Sequence, residues 1–211
     1  MKVLMLNGSP HEKGCTFTAL SIVAKELENE GIETEIIWIG SKPISGCIGC
    51  GGCATLKRCA ISDDVSEFLE KAKTADAFVL GSPVHFAGMS GAMKSFLDRA
   101  FYSGSRINDG DLFRHKLGAA VVSARRAGTT ETYDELIKYF GINEMPIIST
   151  NYWNMIHGST PEQVMQDEEG VQVMRLLGKN MAYFLKCVQA GKENGVVAPE
   201  KENKVRTNFI R

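Results

Sequence analysis

At 211 residues, with 44% apolar and 23% charged side chains, the chain is long enough for one well-buried domain of ordinary globular composition. A formal net charge of -1 with the signs interspersed offers no basic stripe to nucleic acid or to an anionic membrane surface, which makes small-molecule ligands the default. No apolar run approaches the ~20 residues of a membrane span, and too few apolar residues follow Met1-Lys2 for a signal peptide, so a cytoplasmic protein is expected.

In chain order, Val3, Leu4, Met5 and Leu6 form an unbroken apolar run that predicts a parallel strand covered on both faces. It stops at Asn7-Gly8, where the glycine permits a sharp exit. Leu20, Val23, Ala24 and Leu27 recur at i, i+3, i+4 and i+7 and predict a helix ending near Gly31. Residues 34–39 read as the second strand, and 40–62 as a cysteine-bearing loop without period. Asp63-Asp64 cap a helix that presents Val65, Phe68, Leu69 and Ala72 on one face. Residues 77–80 give the third strand, 84–90 a loop, and Met93, Phe96, Leu97 and Ala100 the next helix. The fourth strand is 117–122, followed by a polar loop at 123–130 and a helix with Tyr133, Leu136, Ile137 and Phe140. Residues 145–148 read as the fifth strand. The last helix carries Met174, Leu177, Met181, Phe184, Leu185 and Val188, with Cys187 assigned to the core and Gly178 to close packing on the sheet. The basic trio Arg114, His115 and Lys116 reads as a solvated approach to strand four.

Strands alternating with helices make an α/β fold: a doubly wound, five-stranded parallel sheet in a three-layer sandwich with right-handed crossovers. One domain is expected over 1–191, with a cysteine-rich loop at 44–62 and a polar tail at 192–211. Ligands of such sheets sit beyond the carboxyl ends of the strands, which nominates the loops 9–18, 82–88 and 123–130. In the first, Ser9, Thr16 and Thr18 put hydroxyls beside the unpaired N–H groups of a positive helix start, a setting that suits a phosphate. The same hydroxyls would serve equally as plain caps. Gly14 is followed by Cys15 and not by Lys, so the P-loop pattern is absent and a mononucleotide fits better than a nucleoside triphosphate.

N-G-S-P at Asn7 to Pro10 with G-C-T at Gly14 to Thr16, and G-S-P-V-H-F-A-G-M-S-G-A-M-K-S-F-L-D-R from Gly81 to Arg99, resemble the two signatures of the flavodoxin-like NADPH-dependent FMN reductase family. The resemblance implies FMN, held by Ser9, His11, Cys15, Thr16, Phe17 and Thr18 at its phosphate loop. It places the segment of Pro83, Val84, His85, Phe86 and Gly88 at the isoalloxazine ring, with the loop of Ser123, Arg125, Arg126 and Thr129 approaching from another side. A guanidinium there would favour the reduced flavin anion, so flavin electronics are tuned without a catalytic base. The bland alternatives are a solvated arginine pair and ordinary turn chemistry.

Four of six cysteines crowd into Cys47, Cys50, Cys53 and Cys59 at spacing C-x2-C-x2-C-x5-C. Three thiols on one short turn, with glycines at 49, 51 and 52, suit a cubane whose irons each take one thiolate. Zinc, usually held by two separate C-x-x-C pairs, comes second, and reduced or reversibly paired thiols are the other reading. The run resembles the compact motif of the iron-sulfur flavoproteins, which implies a [4Fe-4S] cluster. Gly49 to Ala54 also matches G-x-G-x-x-A formally, yet it joins no strand tightly to a helix and is rejected as a dinucleotide fingerprint.

These features predict an FMN-dependent oxidoreductase passing electrons from NAD(P)H, as co-substrate, to a quinone or other small acceptor. An iron-sulfur flavoprotein carrying electrons to a ferredoxin-like partner is the rival, and a flavin-binding redox sensor or scaffold is a third reading. A half-open flavin predicts a homodimer or homotetramer, with Tyr152 to Gly158 as a lid or a subunit contact.

Overall fold

The computed structural model describes residues 1–107, 110, 112–205 and 207–209. The first half of the chain forms β1 (Lys2–Asn7), α1 (Cys15–Asn29), β2 (Glu33–Trp38), α2 (Cys53–Leu56), α3 (Asp64–Ala72) and β3 (Ala77–His85). The second forms β4 (Gly88–Met89), α4 (Gly91–Gly104), β5 (Leu117–Ala124), α5 (Thr129–Gly141), β6 (Met155–His157), α6 (Pro161–Val164) and α7 (Glu168–Glu193). Five parallel strands lie in the order β2-β1-β3-β5-β6, and β4 turns back antiparallel on β3. The order reverses at β1, which places the switch point of this doubly wound sheet between β1 and β3.

The unbroken apolar runs follow from burial on both faces. Val3 and Met5 of β1 pack with Leu20, Leu27, Met174 and Leu177 of α1 and α7, whereas Leu4 and Leu6 face Phe68, Phe96 and Leu97 of α3 and α4. Successive strand residues thus feed opposite layers, and both layers are apolar. Phe68, Phe78 and Phe96 meet edge to face at centroid distances of 5.9 and 5.4 Å, the arrangement that aromatic quadrupoles favour.

Five expectations need correction. The fifth strand is not residues 145–148. There, only a bridge between Gly118 and Ile147 forms, and the edge strand proper is β6, paired to Val122, Ser123 and Ala124. Pro146 has no N–H to give a longer ladder, and the chain loops out over 149–154 before it pairs again. Gly178 packs on α1 and not on the sheet: a Cβ there would stand 2.8 Å from the Val23 carbonyl oxygen. Cys187 is exposed on α7, and that helix runs on to Glu193, past the expected boundary at 191. In the basic trio, Arg114 donates to Glu144 at 2.7 Å, and Lys116 Nζ to the Ala72 carbonyl at 2.6 Å. The expected tail includes residues 206, 210 and 211, which lie outside the described residues; in its described part, Pro199 accepts from Arg114 at 3.1 Å. Among the described residues no helix is long and apolar enough to cross a membrane.

Candidate functional site

The carboxyl ends of β1, β3 and β5 stand side by side, with Asn7 opposite Gly81 and Pro83 opposite Ser123. The loop leaving β1 is fastened at nearly every residue. Asn7 Oδ1 accepts from Ser9 N at 3.1 Å while its Nδ2 donates to the Glu12 carbonyl at 2.9 Å, so one side chain ties both ends of the turn. Ser9 Oγ accepts from His11 N at 3.1 Å, and Trp38 Nε1 donates to the Ser9 carbonyl at 2.8 Å. Gly8 is needed because a Cβ would stand 3.0 Å from the Gly81 carbonyl oxygen, to which its own N–H donates at 2.8 Å. From the other side, Ser90 Oγ donates to the Gly8 carbonyl at 2.6 Å. Thr16 and Ser123 share a buried hydroxyl bond of 2.8 Å that joins the start of α1 to the end of β5.

The helix starts divide into two kinds. α3, α4, α6 and α7 are capped by the side chains of Asp63, Ser90, Thr160 and Asp167. α1, α2 and α5 begin at Gly14, Gly52 and Gly128 without any side-chain cap. Among the described residues, the backbone N–H groups of Thr16 and Phe17 have no partner, and that of Cys15 meets its own thiol. Two free donors on a positive helix end, with the Ser9 and Thr16 hydroxyls alongside, are the kind of setting that suits an anion. Ser9 caps the turn before α1 through His11 N, while neither Ser9 nor Thr16 caps α1 itself.

β3 runs further than expected, to His85, and returns through Phe86-Ala87 into β4, with His85 opposite Gly88. Both turn residues have positive φ, 48° and 59°, the conformation of the tight hairpin turn that usually recruits Asn or Gly. The strain is held from behind. Met89 N donates to Glu135 Oε2 of α5 at 2.8 Å, and Gly128 (φ 91°) approaches so closely that a Cβ would lie 2.8 Å from Ala87 Cα. His85 and Phe86 are exposed, Pro83, Val84 and Gly88 half-buried, and Thr129 buried at the start of α5. Arg125 and Arg126 stand exposed on the same rim.

A second site lies beside α4. Cys47, Cys50, Cys53 and Cys59 line one pocket together with Arg99, Tyr102 and Ser103. Cys47 and Cys50 are exposed at its mouth, and Cys53 is buried. The Arg99 side chain is 1% exposed and pairs with Asp63 through two contacts of 2.6 and 2.8 Å. Its Nη2 also donates to Cys59 Sγ at 3.4 Å. The Asp63 carboxylate, working against burial, holds the guanidinium above its already high pKa. Among the described residues no three His, Cys, Asp or Glu side chains are close enough to hold a single metal ion. A four-iron cubane makes a different demand, because it spreads its thiolates over separate irons, and the all-thiol donor set around one pocket fits it.

Residues 1–160 match the family model described as NADPH-dependent FMN reductase. The chain belongs to that family. An iron-sulfur flavoprotein of Methanocaldococcus jannaschii is 34% identical over 196 residues, spanning 90% of this chain and all of the relative. Among solved structures, RosB with a bound 8-demethyl-8-formylriboflavin 5'-phosphate superposes with TM-score 0.67 at 15% identity, covering 100% of this chain and 94% of RosB. An NAD(P)H:quinone oxidoreductase from Methanothermobacter marburgensis gives TM-score 0.65 at 16% identity, covering 86% and 96%. Likenesses at that identity bear on the fold, which is flavodoxin-like.

For a family of FMN reductases, the rim offers what a flavin mononucleotide needs: uncommitted donors for the phosphate and a backbone hairpin for the ring. The structure brings Ser9, His11, Cys15, Thr16, Phe17, Thr18, Ser123 and Thr129 to that rim together with the hairpin. Cys15 is a neighbour more than a nucleophile, since burial pushes its thiol pKa up and its Sγ donates to the Gly158 carbonyl at 3.5 Å. Sequence reasoning missed Trp38, Glu135 and the role of Arg99. An Asn directly before the Gly8 turn did signal the side-chain bridge that Asn7 makes. Nothing local marks Glu135 or Trp38, whose partners lie 46 and 29 residues away.

Proposed function

We propose that this flavin oxidoreductase passes electrons from NAD(P)H through FMN at the rim to a quinone or another small acceptor, and that Cys47, Cys50, Cys53 and Cys59 hold a [4Fe-4S] cluster. The observation that carries the reading is the pair of unpartnered N–H groups at Thr16 and Phe17, flanked by the bound hydroxyls of Ser9 and Thr16. The relative from Methanocaldococcus jannaschii, named an iron-sulfur flavoprotein, and the quinone oxidoreductase with the same fold support it. When bound, FMN supplies an acceptor for the nicotinamide's electrons and a donor for the final acceptor.

The chain's own residues bind and orient. The first turn of α1 would hold the phosphate with its N–H groups, and the hairpin of Pro83 to Gly88 would border the ring with backbone groups that Glu135 and Gly128 keep in place. Arg125 and Arg126 place positive charge where reduction adds negative charge. No side chain is required as a base, because holding the substrate beside a bound flavin would supply proximity. Exposed Phe86, Tyr152 and Trp153 leave apolar surface beside the site, and a second copy of the chain is the cover we assign to it.

A second reading is favoured by the exposure of Cys47 and Cys50: the cluster would face the surface, where a ferredoxin-like protein could exchange single electrons with it. Anaerobic purification with flavin, iron and acid-labile sulfide analysis, followed by stopped-flow reduction with NADPH and NADH, tests both. Rapid nicotinamide oxidation coupled to quinone reduction is expected. FMN-loaded protein that neither nicotinamide reduces, yet reduced ferredoxin does, would replace the first reading with the second. Light scattering that gives a monomer would remove the second copy.

A further inference from the structure

Among the described residues, Arg99 is the one buried cation lining the pocket of the four cysteines, and it is fastened on both sides of their loop. Nη1 donates to the Ser45 carbonyl at 3.3 Å, just before Cys47, while Nη2 donates to the Ile61 carbonyl at 3.2 Å and to Cys59 Sγ at 3.4 Å, at its far end. The guanidinium therefore closes the loop like a clasp from its position on α4. Its Nε is buried with no partner, a donor left over in a residue that lines the thiol pocket. Such an atom is costly unless something accepts from it. Asp63, the only carboxylate bonded to this guanidinium among the described residues, is a third exposed and caps α3.

We propose that Arg99 and Asp63 form a charge pair that positions the cysteine centre and sets its reduction potential, with Arg99 stabilising the more negative, reduced state and Asp63 opposing it. The proposal rests on the reading that the four cysteines hold a cluster. Adding one electron to such a centre increases its negative charge, and a buried cation in hydrogen-bond contact with a ligand sulfur lowers the energy of that state. The carboxylate beside it partly offsets the cation. The two residues should therefore pull the potential in opposite directions. A purely structural clasp predicts no such opposition, since loosening the loop from either side would act alike.

The test uses the full-length chain, anaerobically reconstituted with iron and sulfide and carrying FMN, in wild-type, R99K, R99Q and D63N forms. Iron and sulfide per chain are measured first, then the cluster midpoint by redox titration followed by electron paramagnetic resonance, with the flavin midpoint as internal control. R99Q should disfavour reduction about tenfold, which for a one-electron couple is a fall of about 59 mV. R99K, which keeps the charge, should recover most of the shift, and D63N, which keeps the cap, should raise the midpoint. The flavin midpoint should stay in place throughout. Should R99Q fail to fold, D63N and R99K decide the matter. Equal cluster midpoints in wild type and variants, or a fall in D63N, would overturn the proposal while leaving the cluster intact. Wild-type protein that takes up no iron and sulfide would overturn the underlying reading first, and the proposal with it.

Discussion

The rim and the cysteine loop are two candidate cofactor sites built on opposite terms. At the rim, Asn7, Ser9, Thr16, Trp38 and Ser90 each hold backbone or a neighbouring hydroxyl in place, so the donors point at their target before anything arrives. In the cysteine loop, residues 40–50 make no backbone–backbone hydrogen bond among the described residues, and Arg99 supplies their one tie to α4. The lesson concerns where ordering free energy is spent. A preformed site costs little to fill, whereas a loop with so few internal hydrogen bonds would gain rigidity from a ligand bound to its thiols.

The contrast can be broken at its strong end. Thr16→Glu puts a carboxylate in the buried hydroxyl pair and beside the phosphate donors, and it should cost at least a hundredfold in FMN affinity, read by fluorescence titration of the apoprotein. Near-normal FMN affinity would mean that the anion site lies elsewhere. At the loop, Arg99→Ala leaves Asp63 without its cation and frees three loop anchors, so apoprotein stability in urea should fall by about 3 kcal/mol. A loss below about 0.5 kcal/mol would show that the clasp does not hold the loop.

A smaller effect sharpens the preorganisation argument. Gly128→Ala adds a Cβ at φ 91° against Ala87 and Val84, which should cost about 1–3 kcal/mol and weaken FMN binding at the same time. If thermal stability fell while FMN affinity held, the hairpin would not be part of the site. A control touches neither region. Burial pulls Lys116 down to about 8, below the value of about 10.4 for a free lysine, so between those pH values the unfolded chain binds more protons than the folded one. Its contribution to stability therefore rises with pH across that window. Wild type should gain on K116M between pH 8 and 10.5 in chemical denaturation, with FMN affinity the same in both; a pH-independent gap would contradict the burial of the ammonium.

The order of elements, the two apolar layers and the rim loops were legible because they follow from periods of 2 and 3.6 residues and from strand-end glycines. The grouping of four thiols was legible from spacing alone. The split fifth strand was not, since Met145 to Ile148 has strand composition and only the tertiary pairing of Gly118 decides that a single bridge forms there. The β3–β4 hairpin was hidden for a related reason: Phe86-Ala87 carries no Asn or Gly to announce left-handed backbone. Arg99 stood in a recognised signature, yet nothing in a sequence says that a helix arginine turns inward to meet Asp63 and Cys59 across gaps of 36 and 40 residues.

One helix touches both places. α4 starts at Ser90, hydrogen-bonded to the loop that leaves β1, and reaches Arg99 within the same uninterrupted rod, a span of about 14 Å at the usual rise per residue. Whatever redox groups sit beside Ser90 and beside Arg99 would be held at a separation set by that rod. Passage of an electron between them would need no hinge to swing, and a one-turn insertion in this rod would lengthen the hop without altering the chemistry at either station.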